Sequence, residues 1–204
     1  MIFNTGAENN NLNANSLTYN EETDYFGVMH NGEWKNVVYA GFLSERSLFN
    51  NANVSLLDNW SANSYRREAD DTHTAILPTL AVNDNGNMVI KAKGNQQGMG
   101  SHGSVWLNDA IDFSKYSVLE FNVVSGAINT TNCYCWLAIV SQKKDGYEDI
   151  ELAHSENFIA YNAVNTGVFT VDLTNVNTSG YIVFYCAANN LQDFTGEISY
   201  ITLK

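Results

Sequence analysis

Val118-Leu119-Glu120-Phe121-Asn122-Val123-Val124 sets Leu119, Phe121 and Val123 on one face and Glu120 and Asn122 on the other. Side chains on a strand alternate between faces, so this run predicts a strand with one buried and one wetter side. Further on, Cys133-Tyr134-Cys135-Trp136-Leu137-Ala138-Ile139-Val140 is apolar on both faces. That pattern marks a central strand covered on each side, and it makes Trp136 a core residue. Asp145-Gly146 turns the chain back. Upstream, Thr79-Leu80-Ala81-Val82 and Met88-Val89-Ile90-Lys91-Ala92 flank the hairpin turn Asn83-Asp84-Asn85-Gly86-Asn87. Downstream, strands are expected from Val168 to Leu173, Gly180 to Cys186 and Glu197 to Leu203. Pro78 precedes a strand, where its missing N–H is tolerated. No amphipathic helix of three turns is visible. Short strands separated by turn signals predict an all-β fold, an antiparallel sandwich of the jelly-roll kind.

The chain has 204 residues, 45% of them hydrophobic and only 16% charged, with a net charge of −12. That length can bury a substantial core. Much of the polar surface therefore comes from uncharged Asn, Ser and Thr, which also favour turns. No stretch concentrates Lys or Arg, so the cationic field needed for nucleic acid is missing, and an anionic membrane surface repels the chain. Cys133 and Cys135 point the same way from one strand, so a bridge between them is strained, and buried free thiols are expected. The N-terminus shows no signal-peptide pattern, and no apolar stretch is long enough to span a membrane. Synthesis in the cytoplasm follows.

Residues 1–20 are polar and Asn-rich and read as a flexible arm, or as one that orders only against a partner. Tyr25 to Met29 and Glu33 to Tyr39 flank His30-Asn31-Gly32, a strong hairpin signal. One helical turn is expected within residues 40–50. The organisation is then residues 1–45 as arm and hairpin, and residues 46–204 as the sandwich. Asp112-Phe113-Ser114 and Asp172-Leu173-Thr174 echo one another. Each ends a strand and precedes a Tyr-led return, with Asp and hydroxyl available to bond the turn.

The run Ile111-Asp112-Phe113-Ser114-Lys115-Tyr116, with Val171-Asp172-Leu173 and the closing Gly196-Glu197-Ile198-Ser199-Tyr200-Ile201-Thr202-Leu203, resembles the galactose-binding-like jelly rolls over residues 46–204. That superfamily includes carbohydrate-binding modules and domains of phage tail proteins. Met29-His30-Asn31-Gly32-Glu33-Trp34-Lys35 is similar to short hairpins of phage tail and tail-fibre proteins. The resemblance implies a glycan-binding accessory protein of a phage or prophage tail, present in the virion or released by lysis, that recognises host cell-wall or surface polysaccharide. Its arm would contact other tail subunits or hold the chain as one of three copies in a trimeric homo-oligomer. It also implies a structural Ca²⁺, for which Asp58 and Asp193 are conceivable ligands.

Sugar recognition needs an aromatic platform beside planar polar groups. Trp60, Tyr65 and Arg66 form one candidate group, in a loop or edge strand. His102, Trp106 and Asn108 form another, after the Gly-rich stretch from Gly94 to Gly103, which reads as a binding loop or connector. Burial of Trp60 and Trp106 in the core is an equal alternative, because Trp is highly buried on average. Asp70, Asp71 and His73 suggest an acid–base or metal cluster, and solvated loop residues explain them more simply. Carboxylates are scattered in turns, so no enzyme is expected. The alternatives are a purely structural virion subunit and, below it, a polysaccharide-acting enzyme.

Overall fold

The computed structural model describes residues 18–20, 25–30, 33–39, 45–70, 72–129 and 131–204, with side chains from residue 45 onward. The chain divides into two units, Met1–Arg46 and Ser47–Lys204. In the first, β1 (Thr18–Asn20), β2 (Tyr25–His30) and β3 (Glu33–Tyr39) form an antiparallel sheet in that order. His30 pairs with Glu33, so two residues link the strands. Residues 1–17 of the expected arm, the Asn31-Gly32 turn and Asp71 lie outside the described residues, whereas the last three arm residues, Thr18–Asn20, form β1.

In the second unit come β4 (Arg46–Asn50), β5 (Trp60–Asn63), β6 (His73–Ala75), β7 (Thr79–Val82), β8 (Met88–Lys93) and β9 (Gly100–Leu107). Then follow β10 (Ile111–Asp112), β11 (Val118–Ile128), β12 (Cys133–Val140), β13 (Glu151–His154), β14 (Ile159–Tyr161) and β15 (Ala163–Val164). The last three are β16 (Gly167–Asp172), β17 (Ser179–Ala188) and β18 (Asp193–Leu203). Short 3-10 turns at Val54–Asn59, Phe113–Lys115 and Glu148–Ile150 are the helical elements among the described residues. None of them is long and apolar enough to cross a membrane, which leaves β-barrel insertion unaddressed.

The strands form two sheets. One runs β15-β14-β12-β17-β9-β5, with β10 on β17, β13 on β12 and β6 parallel to β9. The other runs β16-β11-β18-β8-β7, with β4 on β18. Apolar faces of both meet in one core, where Phe121 lies 5.7 Å from Phe184 and 5.8 Å from Phe158, edge to face in both cases. The all-β sandwich is therefore as expected. Arg46–Asn50 is a strand paired with β18 rather than part of a helical turn. Its Leu48 and Phe49 are buried, and packing decides over local preference.

The turns follow the sequence signals. Gly86 takes φ +78 in the β7–β8 hairpin, and Asn83 Oδ1 accepts from the Asn85 and Asn87 N–H groups. Asp112 accepts from the Ser114 N–H and Oγ–H, and Asp172 does the same with Thr174. The thiols of Cys133, Cys135 and Cys186 are free and buried, and burial pushes that of Cys133 up to about 11.

On the β11–β18 sheet Glu120 accepts from Lys204 Nζ at 2.8 Å and from Tyr200 Oη at 2.9 Å. The Lys204 bond, set against desolvation and aided by Tyr200, holds the Glu120 carboxyl below its usual 4.5. A depressed carboxylate stabilises the fold above its unfolded pKa, and that contribution is lost as pH falls through the folded value. Glu120→Gln should therefore lower stability at neutral pH and flatten its decline below pH 4.5. Urea titrations of both proteins across that range check the slope.

Candidate functional site

The larger sheet is apolar on its outer side too. Trp106, Ala138, Val140, Tyr147, Val183, Tyr185 and Ala187 form a second buried cluster there, with Tyr65, Tyr134, Trp136, Ile150 and Tyr181 packed around it. Such a surface cannot face water at its full extent. Two polar segments cover much of it, residues 64–70 and residues 141–151. They are stitched together by the Gly146 N–H to the Arg66 carbonyl at 2.9 Å and the Glu148 N–H to the Arg67 carbonyl at 3.0 Å. Gly146, at φ +67, makes the turn that the sequence assigns to it.

At the centre of this cover lies Arg67. Its guanidinium meets Glu68 and Glu148 at 3.3 Å each and Glu151 at 3.5 Å, and it lies 5.3 Å over the Trp136 ring. Burial works against the Arg67 charge, and the carboxylates of Glu151, Glu148 and Glu68 outweigh it, so the group is held more firmly charged. Glu151 also binds His154 Nδ1 at 2.7 Å through its other oxygen. Beside this network a cleft of about 430 Å³ opens, lined by Arg67, Trp136, His154, Ser155, Glu156, Asn157 and Ala160. Trp136 and Tyr185 approach to 4.1 Å between ring centroids, forming one aromatic wall. Tyr185 is nearly buried, which raises the pKa of its hydroxyl strongly.

A second group lies along β9. His102 is 4% exposed, with Nδ1 3.0 Å from Glu68 Oε2, and its ring stacks on that of His73 at 3.9 Å. Contact with His102, against some desolvation, lowers the Glu68 pKa. His73 Nδ1 lies 2.7 Å from Asp70.

The residues expected from sequence separate. His102 lies on the outer face beneath Glu68, and Tyr65 borders that face, edge to ring with Trp106 at 5.9 Å. Arg66 pairs with Asp145 at 3.0 Å and donates to the carbonyls of Asp70 and His73. Trp60 pairs in register with Leu107 and turns inward onto Phe184, its Nε1 donating to the Leu48 carbonyl. Trp106 lies under Tyr147, with Nε1 donating to Ser104 Oγ at 2.6 Å. Both indoles are sealed, so neither offers a ring face to a ligand. Asn108 accepts from Ser61 and donates to the Asp58 carbonyl, away from the cleft. Asp58 thus stands beyond the C-terminal end of β9, whereas Asp193 pairs with Lys93 at the other end of the sandwich, so the structure does not converge them on one ion. Gly100 to Gly103 belongs to β9 and is a strand, not a loop, because Gly103 lets the Ile76 carbonyl approach within 2.4 Å of where a Cβ would stand.

Trp136 differs in the opposite sense. It is only partly buried and borders the cleft. The alternation that put Cys133 and Cys135 together on one face also put Tyr134 and Trp136 on the other. Arg67, Glu68, Glu148, Glu151 and His154 carry no such local signal.

No family model and no curated protein sequence matches the chain. Among solved structures, a LamA variant from Z. galactanivorans in complex with laminaritriose and laminaritetraose is similar at 12% identity and TM-score 0.45, over 72% of this chain and 92% of that one. LamAcat from Zobellia galactanivorans gives 12% and 0.44, over 71% and 90%. The enzymatically active domain of bacteriophage CBA120 tailspike protein 4 gives 14% and 0.39, over 81% of this chain and 22% of that one. At these values the likeness carries no activity to this chain. The expectation that the chain is not an enzyme is withdrawn, because one of these similar structures is itself an enzymatically active domain.

Since Trp60 and Trp106 are core residues, replacing either with Ala should cost about 3–5 kcal/mol of stability. Denaturant unfolding checks this, and a loss under about 1 kcal/mol would contradict the packing.

Proposed function

We propose that the cleft beside Trp136 binds a short segment of a glycan. One observation carries this: an indole and a guanidinium border a cleft of about 430 Å³ whose remaining wall is His154, Glu156, Asn157, Ala160 and the internally bonded Ser155. Sugars present an apolar ring face and a rim of hydroxyls, and this lining matches both. Three carboxylates, Glu68, Glu148 and Glu151, meet the Arg67 guanidinium, and a fourth, Glu156, lines the cleft. The local field is therefore negative and selects a neutral or amino glycan over an acidic one.

A glycan array followed by calorimetry on the strongest hit tests the proposal. Trp136→Ala should lower affinity about tenfold, the loss expected when about 1.4 kcal/mol of ring contact is removed. Silence across the array with folded protein overturns it. A hydrolytic role has one observation in its favour, the Glu151–His154 pair at 2.7 Å next to exposed Glu156 on the cleft wall. Reducing-end release from the bound glycan, abolished in Glu151→Gln, distinguishes turnover from binding alone.

The same proposal makes the chain a phage- or prophage-type tail component that meets host surface polysaccharide, with residues 1–45 attaching it to neighbouring subunits. Its support is the sequence of the Met29 to Lys35 hairpin. Deleting residues 1–45 should reduce the oligomer, read by light scattering, while near-ultraviolet circular dichroism of the sandwich stays unchanged. An unchanged mass removes the attachment role.

A further inference from the structure

Glu68, His73 and His102 lie outside the cleft lining, yet they form a cluster that a solvated loop does not explain. Each offers a ligand atom, and these atoms all lie within 4.8 Å of one another. The donor set, two imidazoles and one carboxylate, is that of zinc-class divalent ions rather than of Ca²⁺ or Mg²⁺. Three further features point to a ligand. His102 is 4% exposed, and its Nδ1 and the Glu68 Oε2 opposite it are shut off from solvent without an aligned hydrogen bond. Buried polar atoms left in this state are costly unless something else satisfies them. Asp70 holds His73 Nδ1 at 2.7 Å, as outer-shell carboxylates hold metal-bound imidazoles, and that contact leaves Nε2 for a ligand. Finally, Gly100 lets the His73 ring lie against its backbone, where a Cβ would collide with ring carbon Cδ2 and meet His73 Nε2 and Asn189 Oδ1 at 3.1 Å each, and that amide oxygen is itself buried without a hydrogen bond.

We propose that Glu68, His73 and His102 form a site for a zinc-class divalent metal ion, with Asp70 as the positioning carboxylate. The ion fastens the segment after β5 to β9. Ligands of one tetrahedral zinc stand about 3.3 Å apart, given bonds of about 2.0–2.1 Å, so no pair of the cluster closes by more than about 1.5 Å on binding. The two rings are stacked with 23° between their planes, so their in-plane lone pairs run side by side. Binding therefore rotates the ring of His73, the more exposed of the two, out of the stack, while both backbones stay paired on β6 and β9.

The full chain, freed of metal and without any sugar, is titrated with Zn²⁺ by calorimetry and with Co²⁺ by visible absorption. The expected result is one ion per chain, a tetrahedral Co²⁺ spectrum displaced by Zn²⁺, and a higher melting temperature with Zn²⁺. Asp70→Asn should weaken binding about 10–100-fold, and His73→Ala should weaken it further. Asp58→Asn and Asp193→Asn should leave it unchanged. Absence of saturable binding, or equal affinity in His73→Ala, overturns the site. So does loss of binding in either aspartate variant. His73 opens the short strand β6 and is only partly buried, so its variant decides the matter even where His102→Ala does not fold.

Discussion

A strand that is apolar on both faces needs cover on both sides, and β12 and β17 impose that requirement on the whole sandwich. Inside, Leu137, Cys135, Phe184 and Cys186 meet the second sheet and form the main core. Outside, Ala138, Val140, Val183 and Tyr185 have no third sheet to meet. Loops must do the work, and loops carry polar backbone and side chains that need partners when buried. Arg67 resolves this. Its guanidinium lies over the Trp136 ring and gathers Glu68, Glu148 and Glu151, so the desolvation of each charge is offset by its neighbours. Where this cover stops, over Trp136 and Ala160, the apolar face reaches solvent, and the cleft begins there.

Period-two alternation is a local signal, and what it could reach was legible in the sequence. Cys133–Val140 emerges with the boundaries its apolar run suggested, and the Asp112 and Asp172 turns form the bonds their side chains offered. β9 was obscured because glycines that signal a loop in isolation here admit the close approach of Ile76 and Pro78. Faces were harder. Trp60 and Trp106 sit on neighbouring strands and point to opposite sides, and only the register Trp60↔Leu107 and Ser61↔Trp106 reveals it. Trp136 lay in the most apolar run and looked like core, yet its strand is edged by short β13 and β14, so its cover is incomplete. The Arg67 network was beyond reach, since it joins positions about eighty residues apart, as the neighbouring Arg66–Asp145 pair does at a separation of 79.

The segment between β5 and β6 belongs to both sites, and its order governs each. Arg66 ties it at one end to Asp145 and closes its turn through the carbonyls of Asp70 and His73. Arg67 then presents its guanidinium to the cleft, and Glu68, one residue on, turns its carboxylate to His102. Tyr185 lies between, 5.1 Å from His102 and 4.1 Å from Trp136, so one ring supports both walls. Groups carried by strands, His102, Tyr185 and Trp136, are placed by ladder hydrogen bonds and cannot shift singly. Groups carried by the segment are placed only by ion pairs and a few backbone bonds, which are weaker and more sensitive to solvent. Fixing His73 and Glu68 to β9 therefore restrains Arg67 as well. The cleft is preorganised to the extent that this segment is held down, and preorganisation rather than area sets how tightly a small polar ligand is bound.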